Sequence, residues 1–126
     1  MKIRSPVLVI EDDADVRDLL SGRLRTAGYP VVGVGTGEEG VARARQQTPS
    51  LVILDLLLPG IDGWEALQQI RANAAGVQVP VVVVSIVDPS APPDTVEGYI
   101  VKPFRSSQIV EKVAELIGPP EREVMT

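Results

Sequence analysis

Val7-Leu8-Val9-Ile10-Glu11-Asp12-Asp13 sets four apolar residues directly against three acids. An unbroken apolar run of that length reads as a strand buried on both faces, the kind found in parallel sheets. The acids mark where the chain leaves the core. The same switch recurs downstream: Leu51-Val52-Ile53-Leu54 delivers Asp55, the run Val79 to Val84 delivers Ser85, and Tyr99-Ile100-Val101 delivers Lys102. These strand ends are the strongest signal in the chain. Open parallel sheets carry their functional groups outside the carboxyl ends of the strands, near a topological switch point.

Helix-like stretches separate the strands. Val16, Leu19, Leu20 and Leu24 fall on one helical face, which Gly28 closes. Tyr29 to Val34 reads as a second strand, and Pro30 near its start suits a sheet edge. Thr36 and Glu39 have capping-box spacing for a second helix running to about Gln47. Leu58-Pro59-Gly60 forms a turn, and Asp62 caps a third helix carrying Trp64, Leu67 and Ile70. The last helix carries Ile109, Val113 and Leu116, with Ser106 as its cap and Gly118-Pro119-Pro120 as its stop. Strands alternating with helices in this way give an α/β fold, a five-stranded parallel sheet covered on both faces.

The 126 residues fit a single domain, residues 1–126, with a core over about 6–117 and a frayed tail over 118–126. Aromatics are few, so the core is built from Val, Ile, Leu and Ala. Twelve basic against seventeen acidic residues give a net charge of −5 with no dense basic patch, which argues against nucleic-acid binding by this chain. The absence of Cys and His excludes disulfides, thiol chemistry, a Ser-His-Asp triad, a histidine-based zinc site and a phosphohistidine made on this chain. No apolar run approaches a membrane span, so no membrane contact is expected and the cytoplasm is the default location.

Carboxylates brought together repel one another, and a hard divalent cation such as magnesium relieves that repulsion through oxygen ligands. Glu11, Asp12 and Asp55 converge if the first and third strands are neighbours. A carboxylate can also act as a nucleophile and form an aspartyl phosphate. Such transfer needs positioning and charge neutralisation more than acid–base groups, and Lys102 and Ser85 offer a cation and a hydroxyl. Each feature alone has a plainer reading. An acidic run after a strand answers a helix macrodipole, a single Asp caps a helix, a lone Ser is structural, and Lys before Pro is a solvated surface residue. Order and spacing together favour the chemical reading.

The ordered set resembles the receiver domain of two-component response regulators. The resemblance rests on residues 7–13 with Arg17, Leu54-Asp55-Leu56-Leu57-Leu58-Pro59-Gly60-Ile61-Asp62-Gly63, Val81 to Ser85, and Tyr99-Ile100-Val101-Lys102-Pro103-Phe104, and it covers about residues 6–117. It implies a flavodoxin-like, doubly wound sheet of strand order 2-1-3-4-5. It implies Asp55 as phospho-acceptor, with Mg2+ held by Asp12, Asp55 and the backbone carbonyl of Leu57, and by Glu11 through water. Lys102 and Ser85 would bind the phosphoryl group, Ser85 and Tyr99 would be the switch pair, and the bond before Pro103 would be cis. The phosphoryl donor would be a histidine kinase or histidine phosphotransfer protein docking near Asp15, Leu19 and the Pro103-Phe104 loop. The chain would be a signalling switch that catalyses its own phosphorylation and slow dephosphorylation, as a monomer or weak dimer.

This sequence departs from the family pattern in two places. Ile86 follows Ser85 where the family has a small residue. The segment between Ser85 and Lys102 is short and holds Pro89, Pro92 and Pro93, so the fourth helix is expected to be short or missing. The alternative function is a pseudo-receiver, a binding module that works without phosphorylation. A phosphohydrolase using an aspartyl phosphate needs a second acid near the nucleophile, which Asp55-Leu56-Leu57-Leu58 does not offer. A flavin or nucleotide binder needs a phosphate loop where this chain has acids.

Overall fold

The computed structural model describes residues 5–72, 78–87 and 95–120. The elements run β1 (Val7–Ile10), α1 (Ala14–Ala27), β2 (Val31–Val34), α2 (Gly37–Gln46), β3 (Leu51–Leu54), α3 (Gly63–Ala72), β4 (Val81–Ser85), β5 (Gly98–Val101) and α4 (Ser106–Ile117). Five parallel strands lie in the order β2-β1-β3-β4-β5, a flavodoxin-like arrangement. β1 and β3 are neighbours in register, with Ile10 beside Leu54, so the residues that follow them emerge side by side.

Alternation along the central strands sends successive side chains to opposite faces. Leu8, Ile10, Val52, Leu54, Val81 and Val83 face one layer, where they meet Val41 and Ala44 of α2 and Ala66, Leu67 and Ile70 of α3. Val7, Val9, Leu51, Ile53, Val82 and Val84 face the other, against Leu20 and Leu24 of α1 and Ile109 and Val113 of α4. Burying a side chain of this size contributes about 1.5–3 kcal/mol. The two apolar layers therefore fix the register of the sheet, and with it the position of every strand end.

Some local expectations need correction and others hold. Leu19 is not part of the buried face of α1: it is 46% exposed, and Ser21 is buried instead, with Leu20 and Leu24. The second strand begins at Val31, one residue beyond Pro30, and β2 is a sheet edge. At the start of α2 the Thr36 hydroxyl accepts from the Glu39 amide and donates to the Glu39 carboxylate. Ser106 is not the cap of α4. That position is Arg105, in extended conformation, whose amide donates to the Gln108 side chain. Among the described residues, 86–87 and 95–97 are not helical, and four helices are present. The rest of the connector for which a short or missing helix is predicted, 88–94, lies outside the described residues. So does the tail beyond Pro120, whereas Gly118 accepts the Tyr29 hydroxyl through its carbonyl.

Candidate functional site

Asp55, one residue past β3, is 6% exposed. Its Oδ1 accepts the Leu57 amide at 3.0 Å, and its Oδ2 lies 3.2 Å from Lys102 Nζ. Lys102, one residue past β5, also reaches Glu11 Oε1 at 2.6 Å. One ammonium thus bridges two buried carboxylates from neighbouring strand ends. Asp12 is exposed, and one oxygen each from Glu11, Asp12 and Asp55 lie within 4.8 Å of one another.

The three acids of the opening stretch divide their work. Asp13 is the helix cap: its Oδ1 accepts the amides of Asp15 and Val16, satisfying donors at the start of α1. Glu11 is buried and turned into the cluster, with Oε2 accepting the Asp13 amide at 3.3 Å. The plain capping role thus falls on Asp13, while Glu11 and Asp12 contribute to the acidic cluster.

Burial, opposed by the hydrogen bond from Lys102 and reinforced by neighbouring Asp55, brings the Glu11 carboxyl up to about 7. Burial by itself would lower the Lys102 ammonium, but its bonds to Glu11 and Asp55 outweigh that and raise it. A single lysine is thus short compensation for the carboxylates around it. Oxygen donors, no histidine and an excess of negative charge suit a hard divalent cation rather than zinc.

The raised Glu11 value has a consequence for stability. A carboxyl whose folded-state value exceeds its ordinary one stabilises the fold fully below about 4.5 and loses that contribution as pH rises through about 7. Glu11→Gln carries no such titration. In metal-free buffer the stability of this variant relative to wild type is expected to grow by on the order of 2 kcal/mol between pH 5 and pH 8. Urea unfolding at a series of pH values checks it, and a difference that stays flat would mean Glu11 ionises in the ordinary range.

The remaining predicted residues lie around this centre. Ser85, at the end of β4, is wholly buried and its hydroxyl accepts the Val87 amide at 3.3 Å. The Tyr99 hydroxyl donates to the Val87 carbonyl at 2.6 Å, tying β5 to the loop after β4. The Lys102–Pro103 bond is cis. Leu57 and Val87 are 52% and 43% exposed, and Ile86 is exposed between Ser85 and Val87. The contacts of Arg17 and Glu97 are not legible in the sequence. Arg17 Nη1 donates to the Glu11 carbonyl at 2.8 Å. Far from the site, Glu97 accepts from Arg71 and from the Val81 amide, joining α3 to the starts of β4 and β5.

The family model described as the response regulator receiver domain matches residues 7–114. This chain belongs to that family. The receiver domain is 32% identical over 121 residues to the DNA-binding response regulator MtrA of Mycobacterium tuberculosis, covering 88% of this chain and 50% of MtrA. It spans about half the length of the curated relatives it matches. Among solved structures, the response regulator TrrA of Thermotoga maritima, in complex with Mg(2+)-BeF, is 28% identical with a TM-score of 0.78, covering 89% of this chain and 98% of that one. The receiver domain of the hybrid histidine kinase CckA is 30% identical with a TM-score of 0.77, covering 89% and 98%. No helix among the described residues of this receiver domain is long and apolar enough to cross a membrane.

Proposed function

We propose that this receiver domain accepts a phosphoryl group on Asp55 from a phosphohistidine of a separate histidine kinase or histidine phosphotransfer protein. The observation that carries the reading is the Lys102 bridge between Asp55 and Glu11, beside Asp12. Asp12 and Asp55, with the Leu57 carbonyl, would hold Mg2+ directly, and Glu11 would support it. When bound, the ion neutralises charge on the phosphoryl oxygens. An Asp55 carboxylate oxygen attacks phosphorus as the P–N bond to the donor imidazole breaks, and the imidazole nitrogen keeps the electron pair. Lys102 exchanges its contact with Asp55 Oδ2 for one with a phosphoryl oxygen, and Ser85 donates to another. The Leu57 amide holds Oδ1 while this happens.

The intact set of acid pair, Asp55 and Lys102 speaks against a phosphorylation-independent binding module. Leu19, exposed on α1 beside the acidic end of the sheet, supports donor docking at Asp15, Leu19 and the Pro103-Phe104 loop. The net charge of −5 supports a chain that does not itself contact nucleic acid. The domain is read as cytoplasmic, as folding over residues 1–126 by itself, and as a monomer or weak dimer. The test is intact mass after incubation with Mg2+ and acetyl phosphate. One phosphoryl adduct is expected, lost when EDTA replaces Mg2+; no adduct under any Mg2+ concentration would reject the reading.

The phosphoryl group is expected to be long-lived. Hydrolysis needs a water in line with the P–O bond, and Leu57 and Val87, two positions after Asp55 and Ser85, have apolar side chains that cannot orient one. Leu57→Asn places an amide there, and its decay after donor removal should be faster by roughly three- to tenfold. Equal decay in wild type and variant would show that these side chains do not govern water access.

A further inference from the structure

Glu11 is the first residue past β1, and its amide makes the last rung toward β2 by donating to the Val34 carbonyl at 3.1 Å. Its carbonyl is taken by the guanidinium of Arg17 at 2.8 Å. Arg17 also donates its own amide to the Asp13 carbonyl at 2.9 Å. One residue of α1 therefore brackets the turn Glu11–Asp13 from both sides, with Asp12 between the two held carbonyls.

Arg17 reaches this position across β2, and two glycines leave the space. A methyl group at Gly33 would lie 3.2 Å from Arg17 Cγ and 3.1 Å from Ser21 Oγ. A methyl group at Gly35 would lie 3.1 Å from Arg17 Nη1. Among the described residues the positive-φ glycines are Gly28, Gly60 and Gly118, so backbone conformation does not call for glycine at 33 or 35. The requirement there is room for the arginine stem and head.

We propose that Arg17 is a positioning residue for the acidic pair, acting through the Glu11 carbonyl, and that Gly33 and Gly35 form the notch that admits it. The proposal rests on the reading that Glu11 and Asp12 serve Mg2+. Asp12 is exposed, so its placement depends on the peptide that leads into it, and Arg17 fixes that peptide. Groups that orient metal ligands in this indirect way typically change affinity by 10–100-fold.

The test is the Mg2+ dissociation constant of the folded protein, from backbone amide shifts of residues 11–13 and 55–57 during titration with MgCl2. Arg17→Met keeps a stem to cover Gly33 and removes the donor; its Mg2+ affinity should fall about tenfold. Gly35→Ala keeps Arg17 and crowds its head; affinity should fall about threefold. Gly22→Ala, with nothing within 4 Å of the added methyl, is the control and should bind as wild type does. A purely structural Arg17 would lower the urea midpoint and leave the affinity of the folded molecules unchanged, so midpoints are measured alongside. Arg17→Met and Gly35→Ala both within about twofold of wild type would overturn the proposal. If Arg17→Met does not fold, Gly35→Ala decides alone. Asp12→Ala separates the two layers of inference. If it binds Mg2+ as tightly as wild type, the metal reading of the acidic pair fails and the proposal fails with it. If it loses binding while Arg17→Met and Gly35→Ala both retain it, only the role of Arg17 is rejected.

Discussion

Asp55→Asn is expected to abolish phosphorylation while leaving the fold in place, a loss of at least about a thousandfold in rate. The change is nearly isosteric. The amide oxygen can still accept the Leu57 amide that Oδ1 accepts now, so the loop after β3 keeps its anchor. What goes is the carboxylate nucleophile and the 3.2 Å ion pair with Lys102. Lys102 keeps its shorter contact with Glu11 at 2.6 Å, so no buried ammonium is left without a partner. Asp55 raises the Glu11 carboxyl through both a hydrogen bond and its charge, so removing that charge brings Glu11 back toward its ordinary value. The variant should therefore be as stable as wild type or more so at pH 7.5. Intact mass with Mg2+ and acetyl phosphate checks the first half, and urea unfolding the second. An adduct that persists in Asp55→Asn would place the acceptor elsewhere and remove the central assignment.

The strand ends were legible because the sheet is parallel and buried on both faces. Apolar runs with no alternation mark such strands, and the first polar residue after each run marks its carboxyl end. That logic reaches Glu11, Asp55 and Lys102 directly, although Lys102 and Glu11 are 91 residues apart in sequence. It does not apportion three successive acids, because Asp12 and Asp13 differ only in which amides lie within reach. The helix start at Ala14 assigns the cap to Asp13. It also misplaces Leu19. Positions 16, 19, 20 and 24 share a broad helical face, and burial is decided by what lies opposite. Ser21 is buried beneath β2, close to where Gly33 has no side chain, while Leu19 turns to solvent. The Arg71–Glu97 link was not legible for a different reason. Both residues are of a type that ordinarily sits solvated on surfaces, and their pairing depends on how the end of α3 meets the start of β5.

Gly63→Ala should cost about 2–4 kcal/mol of stability and lower phosphorylation at least about tenfold in the molecules that remain folded. In sequence Gly63 is an ordinary helix-start glycine after a capping Asp62. In the structure it packs directly against the backbone of the segment carrying Asp55. Its amide donates to the Leu56 carbonyl at 3.1 Å. A methyl group there would sit 2.6 Å from the Asp55 carbonyl oxygen and 2.7 Å from Leu56 Cα. Both obstacles are backbone atoms, so no rotamer change relieves the overlap, and either α3 or the Asp55–Leu56 peptide must move. α3 is held by Ala66, Leu67 and Ile70 in the core, and Asp55 by the hydrogen bond its amide donates to the Ile10 carbonyl at 3.0 Å. Neither can yield without loss. Movement of the peptide would carry the carboxylate away from Lys102, so stability and chemistry should fall together. Gly22→Ala is the control, since its methyl meets nothing and alanine is the better helix former by about 1 kcal/mol. Urea unfolding and acetyl phosphate labelling of the two variants decide the matter. If Gly63→Ala unfolds within about 0.5 kcal/mol of wild type, the close approach is not what holds Asp55 in place, and its position must come from the β3 pairing alone.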